Sequence, residues 1–126
     1  MRKAAGTLRP LILICDDELP LRELIKAALG DRYRYIEAGD ASEAEAAMDQ
    51  NPEAIVLDVM LPGKSGIDFL SELRSGADDT PPVVVVSAWQ SPADEKAALG
   101  AGADAFVGKP FDPEDLAAVV EGLIAA

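Results

Sequence analysis

The sequence predicts an α/β fold: a doubly wound parallel sheet of five strands with five helices, in one domain. Three observations carry this. Five short apolar runs recur along the chain, each followed by a stretch with helical spacing or a helix-start signal. Several runs are apolar throughout rather than alternating, as strands buried on both faces require. The chain has 126 residues, 49% of them apolar, which suits one domain with a sizeable core.

The elements follow in order. Residues 11–15, LILIC, form the first strand. Leu21, Leu24, Ile25, Ala28 and Leu29 then recur at helical spacing, and Gly30 closes that helix. Residues 33–38, YRYIEA, make the second strand. Asp40 with Glu43 has the form of an N-cap and its partner, opening an alanine-rich helix to about Met48. Residues 54–57, AIVL, are strand three, and Ser65 with Asp68 starts a helix to about Arg74. The loop 75–82 is polar and reads as an ordinary connection. Residues 83–87, VVVVS, are expected at the centre of the sheet. Ser91-Pro92 opens helix four, with Pro at its first position. Residues 105–108, AFVG, are strand five. Asp112-Pro113 opens helix five, whose apolar stripe is Leu116, Val119, Val120 and Leu123. Repeated βα units imply parallel strands with helices on both faces.

Composition excludes several functions. A formal charge of −12 opposes direct binding to nucleic acid or an anionic membrane. Histidine is absent, so neither His-based catalysis nor a His metal site is available. The single cysteine, Cys15, allows no internal disulfide and fits a reducing, cytoplasmic setting. It lies in an apolar run and reads as a small buried hydrophobe. The basic N-terminus precedes an apolar run too short for a signal-peptide core or a membrane span. The tripeptide GKS at 63–65 resembles the tail of a P-loop, but Asp58 stands where that motif requires its first glycine.

In such folds, sites gather outside the carboxyl ends of the strands. Strand one ends in Asp16-Asp17, strand three in Asp58, strand four in Ser87 and strand five in Lys109; strand two, ending in Glu37-Ala38, offers less. Singly, each reads as a cap or a turn residue. Together they bring three acids, a hydroxyl and a lysine to one sheet edge. Crowded carboxylates repel unless a cation is shared. An all-oxygen set without His or Cys suits a hard cation such as Mg²⁺. The lysine and hydroxyl then fit an anion arriving on that metal, which describes a phosphoryl group.

The segments ICDDE, IVLDVMLPGKSG, VVVVSA and GADAFVGKPFD occur in order at matching spacing. Through them the chain resembles the receiver domains of two-component response regulators, over residues 10 to 124. The resemblance implies a flavodoxin-like sheet of order 2-1-3-4-5. It implies that Asp58 accepts the phosphoryl group and that Asp17 and Asp58 ligate Mg²⁺ (or Mn²⁺). The Met60 backbone carbonyl would complete the metal site, with Asp16 acting through water. Ser87 and Lys109 would hold phosphoryl oxygens, small Ala88 would leave room for them, and Lys109-Pro110 would be a cis peptide. Phe106 stands at the switch-aromatic position, and Met60 and Trp89 flank the phosphoryl group where they influence its lifetime.

The implied partners are a sensor histidine kinase or a histidine phosphotransfer protein, and a downstream protein bound through helix 4, strand 5 and helix 5. The domain would act as a phosphoacceptor assisting its own phosphotransfer, not as a turnover enzyme. The whole of 1–126 reads as one receiver domain with no output domain. A receiver-fold scaffold that is never phosphorylated is the alternative. An enzyme of the same sheet order is disfavoured, because Asp16-Asp17-Glu18 is not an Asp-x-Asp nucleophile motif and the loop after strand one lacks a flavin-phosphate cradle. Helix five has no Lys or Arg, which argues against the charge-paired dimer typical of receivers joined to winged-helix DNA-binding domains.

Overall fold

The structure is a computed structural model that describes residues 9–76 and 79–125. The basic residues Arg2 and Lys3, and Ala77-Asp78 of the loop 75–82, lie outside these. Strands β1 (Leu11–Cys15), β2 (Arg34–Ala38), β3 (Ala54–Asp58), β4 (Val83–Ser87) and β5 (Ala105–Gly108) alternate with helices α1 (Leu19–Leu29), α2 (Ala41–Ala47), α3 (Gly66–Gly76), α4 (Pro92–Ala101) and α5 (Pro113–Ala125). All strands pair in parallel, in the order β2-β1-β3-β4-β5. The order reverses at β1 and β3, so their carboxyl ends flank the crevice where ligands bind in open α/β sheets.

Strand side chains alternate between two apolar layers. Leu13, Ile55, Leu57 and Val85 pack with Ala44 of α2, Leu70 of α3 and Ala98 of α4. Ile12, Ile14, Val56 and Val84 pack with Ile25 and Leu29 of α1 and Leu116 and Val120 of α5. β1, β3 and β4 are buried at every position, as their unbroken apolar runs require. β3 is the middle strand, whereas β4 lies between β3 and β5. Four consecutive valines report burial on both faces, which every interior strand has, and not the rank of the strand.

The helix signals act locally. Asp40 accepts the Glu43 N–H at 2.8 Å, and Ser91 with Asp94 forms a full capping box. The Asp112 carboxylate accepts the Glu114 N–H at 2.8 Å at the start of α5. α2 ends before Met48 and tightens into a 3₁₀ turn, Met48–Gln50. Gly30 closes α1 with φ +83° and leads into a second such turn. Leu24 is 49% exposed although it belongs to the apolar spacing of α1. The buried face is centred on Ile25 and Leu29, and Leu24 lies at its edge, about 100° from Ile25. No helix among the described residues is long and apolar enough to cross a membrane.

Candidate functional site

The β3 ladder carries Asp58 to the sheet edge and leaves its side chain 7% exposed. The chain then turns through Gly63, at φ +86°, and comes back so closely that a Cβ on Gly66 would collide with the Asp58 carbonyl oxygen. The Gly66 N–H donates to the Val59 carbonyl at 2.6 Å. Only glycine permits this approach, and it braces the backbone that leaves Asp58. Ser65 caps α3 by accepting the Asp68 N–H at 3.1 Å.

β1 delivers the acidic pair. Asp16 is 1% exposed and fully engaged: its N–H donates to the Ala38 carbonyl at 3.0 Å, and its Oδ1 accepts the Glu18 N–H at 2.9 Å. Asp17 is exposed, and since Glu18 is the N-cap of α1 without a side-chain cap bond, Asp17 is not the cap of that helix. Carboxylate oxygens of Asp16, Asp17 and Asp58 all lie within 4.8 Å of one another. This compact, all-oxygen group fits a hard divalent cation.

Lys109, from the end of β5, reaches into the group. Its Nζ lies 3.1 Å from Asp16 Oδ2 and 3.4 Å from Asp58 Oδ2. Burial alone would lower the Lys109 pKa, but the hydrogen bond to Asp16 and the charges of Asp58 and Asp16 outweigh it, and the net shift is upward. Asp58 is also shifted upward, because loss of solvent outweighs the pull of Lys109 and the Met60 N–H. Burial therefore makes the charged form of Asp58 costly unless further positive charge offsets it.

Ser87 is buried at the end of β4, and its Oγ accepts the Trp89 N–H at 2.9 Å. The Lys109 N–H donates to the Ser87 carbonyl at 2.8 Å, which ties the two strand ends together. Ala88 is exposed next to Ser87, and the Lys109-Pro110 peptide is cis. Met60 and Trp89 are each 51% exposed and line one open groove with Ser65. Trp89 also borders a cavity of about 170 Å³ beside Ser87, whose other walls include Ile67, Ala97 and Phe106. Phe106 is half-buried and packs on the layer formed by α2, α3 and α4. Cys15 is buried, and burial pushes its thiol pKa far upward, so it is inert at neutral pH.

Two residues make contacts that the sequence did not suggest. Arg22 of α1 donates to the Asp16 carbonyl and pairs with Glu37 of β2. The Gln90 side-chain amide donates to the Lys109 carbonyl and occupies the space that a Cβ on Gly108 would fill. The available sequence signal was an arginine in the first turn of the helix that follows the acidic pair. For Gln90 it was a glycine directly before the lysine.

Comparison with known proteins agrees with this geometry. The family model described as the response regulator receiver domain matches residues 12–121. The probable transcriptional regulatory protein TcrX of Mycobacterium tuberculosis is 40% identical over 127 residues, covering 98% of this chain and 53% of that protein. The DNA-binding response regulator MtrA of Mycolicibacterium smegmatis is 39% identical over 116 residues, covering 90% and 50%. The chain therefore spans about half the length of the curated relatives it matches. The solved receiver domain of the Francisella response regulator 1452 superposes with a TM-score of 0.86 at 30% identity, covering 93% of this chain and 98% of that one. Fold, acidic group and sequence relationships lead to one assignment: this chain belongs to the response regulator receiver domains.

Proposed function

We propose that Asp58 accepts a phosphoryl group from a phosphohistidine donor, a sensor kinase or a histidine phosphotransfer protein. The modified domain then signals through a face made of α4, β5 and α5. The observation that supports this most directly is the placement of Lys109, whose ammonium bridges the buried carboxylates of Asp16 and Asp58. In the transfer, an Asp58 carboxylate oxygen forms a bond to phosphorus. The donor's N–P bond breaks, and its electron pair stays on the imidazole nitrogen, which is then protonated from solvent. Attack of one anion on another is slow unless charge is offset and the groups are held in place.

The residues supply both. Asp17, Asp58 and the Met60 carbonyl would hold Mg²⁺, with Asp16 behind them. The bound ion would contribute positive charge against the carboxylates and the phosphoryl oxygens. Lys109 offers a second cation, and the Ser87 hydroxyl, which accepts the Trp89 N–H, would donate its own O–H to a phosphoryl oxygen. Met60 and Trp89, which line one groove, would shade the attacked bond from water.

Incubation with Mg²⁺ and acetyl phosphate tests the reading. Intact mass should rise by one phosphoryl group in the wild type and stay unchanged in Asp58→Asn, whose amide keeps the shape but is not a nucleophile. Equal uptake by the variant would refute the assignment of Asp58.

A further inference from the structure

The β1–α1 connection carries two acids with different surroundings. Asp16 is held at every polar group, whereas Asp17 stands exposed between it and the helix. Asp17 shares a peptide plane with Asp16. That plane is rigid, so fixing the Asp16 carbonyl also fixes the N–H and the Cα of Asp17, the point from which its side chain starts. The carbonyl accepts one hydrogen bond from a side chain, Arg22 Nη1 at 2.7 Å.

Arg22 is itself held. Its backbone N–H donates to the Glu18 carbonyl at 3.1 Å in the first turn of α1. Its Nε donates to Glu37 Oε1 at 2.8 Å, and its side chain is 17% exposed. The second oxygen of Glu37 is taken by Lys26 at 2.8 Å, and Lys26 also pairs with Glu23. The fork of a guanidinium makes two differently directed bonds at once, one to β2 and one to the loop; an ammonium on a flexible stem does not reproduce that geometry.

We infer that Arg22 is a positioning residue of the acidic site: by fixing the Asp16-Asp17 peptide plane it holds the Asp17 Cα where its carboxylate lies within reach of Asp58 before a cation arrives. This rests on the reading of Asp17 and Asp58 as cation ligands. Charge and geometry predict opposite signs here, which makes the inference testable. Arg22 is a cation near a cation site, so by charge alone its removal would tighten Mg²⁺ binding. As a positioning residue, its removal weakens binding, by ~10-fold or more on the scale of lost outer-shell partners.

The experiment is a Mg²⁺ titration without phosphodonor, followed through Trp89, the sole tryptophan. It uses the wild type, Asp17→Ala, Arg22→Met and Arg22→Lys, with melting in EDTA to confirm folding. Arg22→Met keeps the length and packing of the stem but loses charge and fork. Arg22→Lys keeps the charge and loses the fork, so any weakening in it is geometric. The expected result is saturable binding by the wild type that Asp17→Ala removes, a rise of ~10-fold or more in the dissociation constant for Arg22→Met, and a smaller rise for Arg22→Lys. Unchanged or tighter binding by Arg22→Met overturns the inference while leaving the acidic site intact. Should Arg22→Met not fold, Arg22→Lys decides, and wild-type affinity in it overturns the inference. A wild type whose response is absent, or indifferent to Asp17→Ala, removes the cation site and the inference with it.

Discussion

Asp58 is a carboxylate placed where a carboxylate is costly, and the cost has a definite pH signature. Its pKa is raised in the folded chain, chiefly by burial. An acid whose folded pKa lies above its unfolded value destabilises the fold as pH rises from the ordinary carboxylate range through the folded pKa, and contributes nothing below the unfolded value. Asp58→Asn, neutral at every pH, is therefore expected to melt higher than the wild type at pH 7 without metal. The gap should close as pH falls below about 4. A gap independent of pH would contradict the burial argument. The residues flanking Asp58 set a second expectation. Hydrolysis of a phosphoryl group on Asp58 needs a water in line with the phosphorus, and neither the Met60 thioether nor the Trp89 indole face holds one well. Both side chains line the groove beside the site. The phosphoprotein should decay slowly, and Met60→Asn or Trp89→Glu should shorten its lifetime several-fold; the check is the decay of purified phosphoprotein. A parent that decays as fast as both variants would show that these side chains do not govern water access.

Between elements, polar side chains join what the strands and helices leave open. At the end of the sheet opposite Asp58, Arg74 of α3 donates to the Thr80 hydroxyl, the Pro81 carbonyl and the Gly102 carbonyl, and pairs with Asp104 at 2.8 Å. Asp104 in turn accepts the Val83 N–H at 2.8 Å at the start of β4. A Cβ on Gly102, which sits at φ +116°, would meet the Arg74 stem at 2.6 Å. One guanidinium thus fastens the α3–β4 and α4–β5 connections. Arg74→Ala leaves two carbonyls and a carboxylate without this donor and should cost about 2 kcal/mol in urea unfolding. Phosphorylation stoichiometry should not change, because the clamp is remote from the acidic site. A loss below about 0.5 kcal/mol would mean water replaces the guanidinium at little cost.

For the whole molecule the net charge is decisive. At −12 the chain repels copies of itself, and α5 carries Glu114, Asp115 and Glu121 with no basic residue. α4 adds Asp94 and Glu95 against Lys96. Asp104, the acid that precedes β5, is already paired within the chain. A symmetric dimer through α4, β5 and α5 would set like charges face to face, which costs several kcal/mol where such groups are desolvated. Light scattering after size exclusion is therefore expected to give a monomer at low salt both before and after acetyl phosphate treatment. A phosphorylation-dependent dimer through this face would contradict the charge argument.

The sequence by itself determined the α/β class, the element order and the five chemical groups at the strand ends. Each of these is local: a run of four or five apolar residues makes a buried strand, and the residue after it stands at the sheet edge. Caps at Asp40, Ser91 and Asp112 were legible for the same reason. The strand order was reached through resemblance to a family, since periodicity does not rank strands, and the place of β4 beside β3 could not be read from its valines. Tertiary structure alone decided which acid is buried and which is exposed, because Asp16 and Asp17 are identical in sequence terms. The meeting of Lys109 with the acids follows from the strand ends, but tertiary structure decided that Arg22 crosses to Glu37 and that Gln90 settles over Gly108. Such contacts depend on the reach and direction of long side chains across packed elements, which local spacing does not encode.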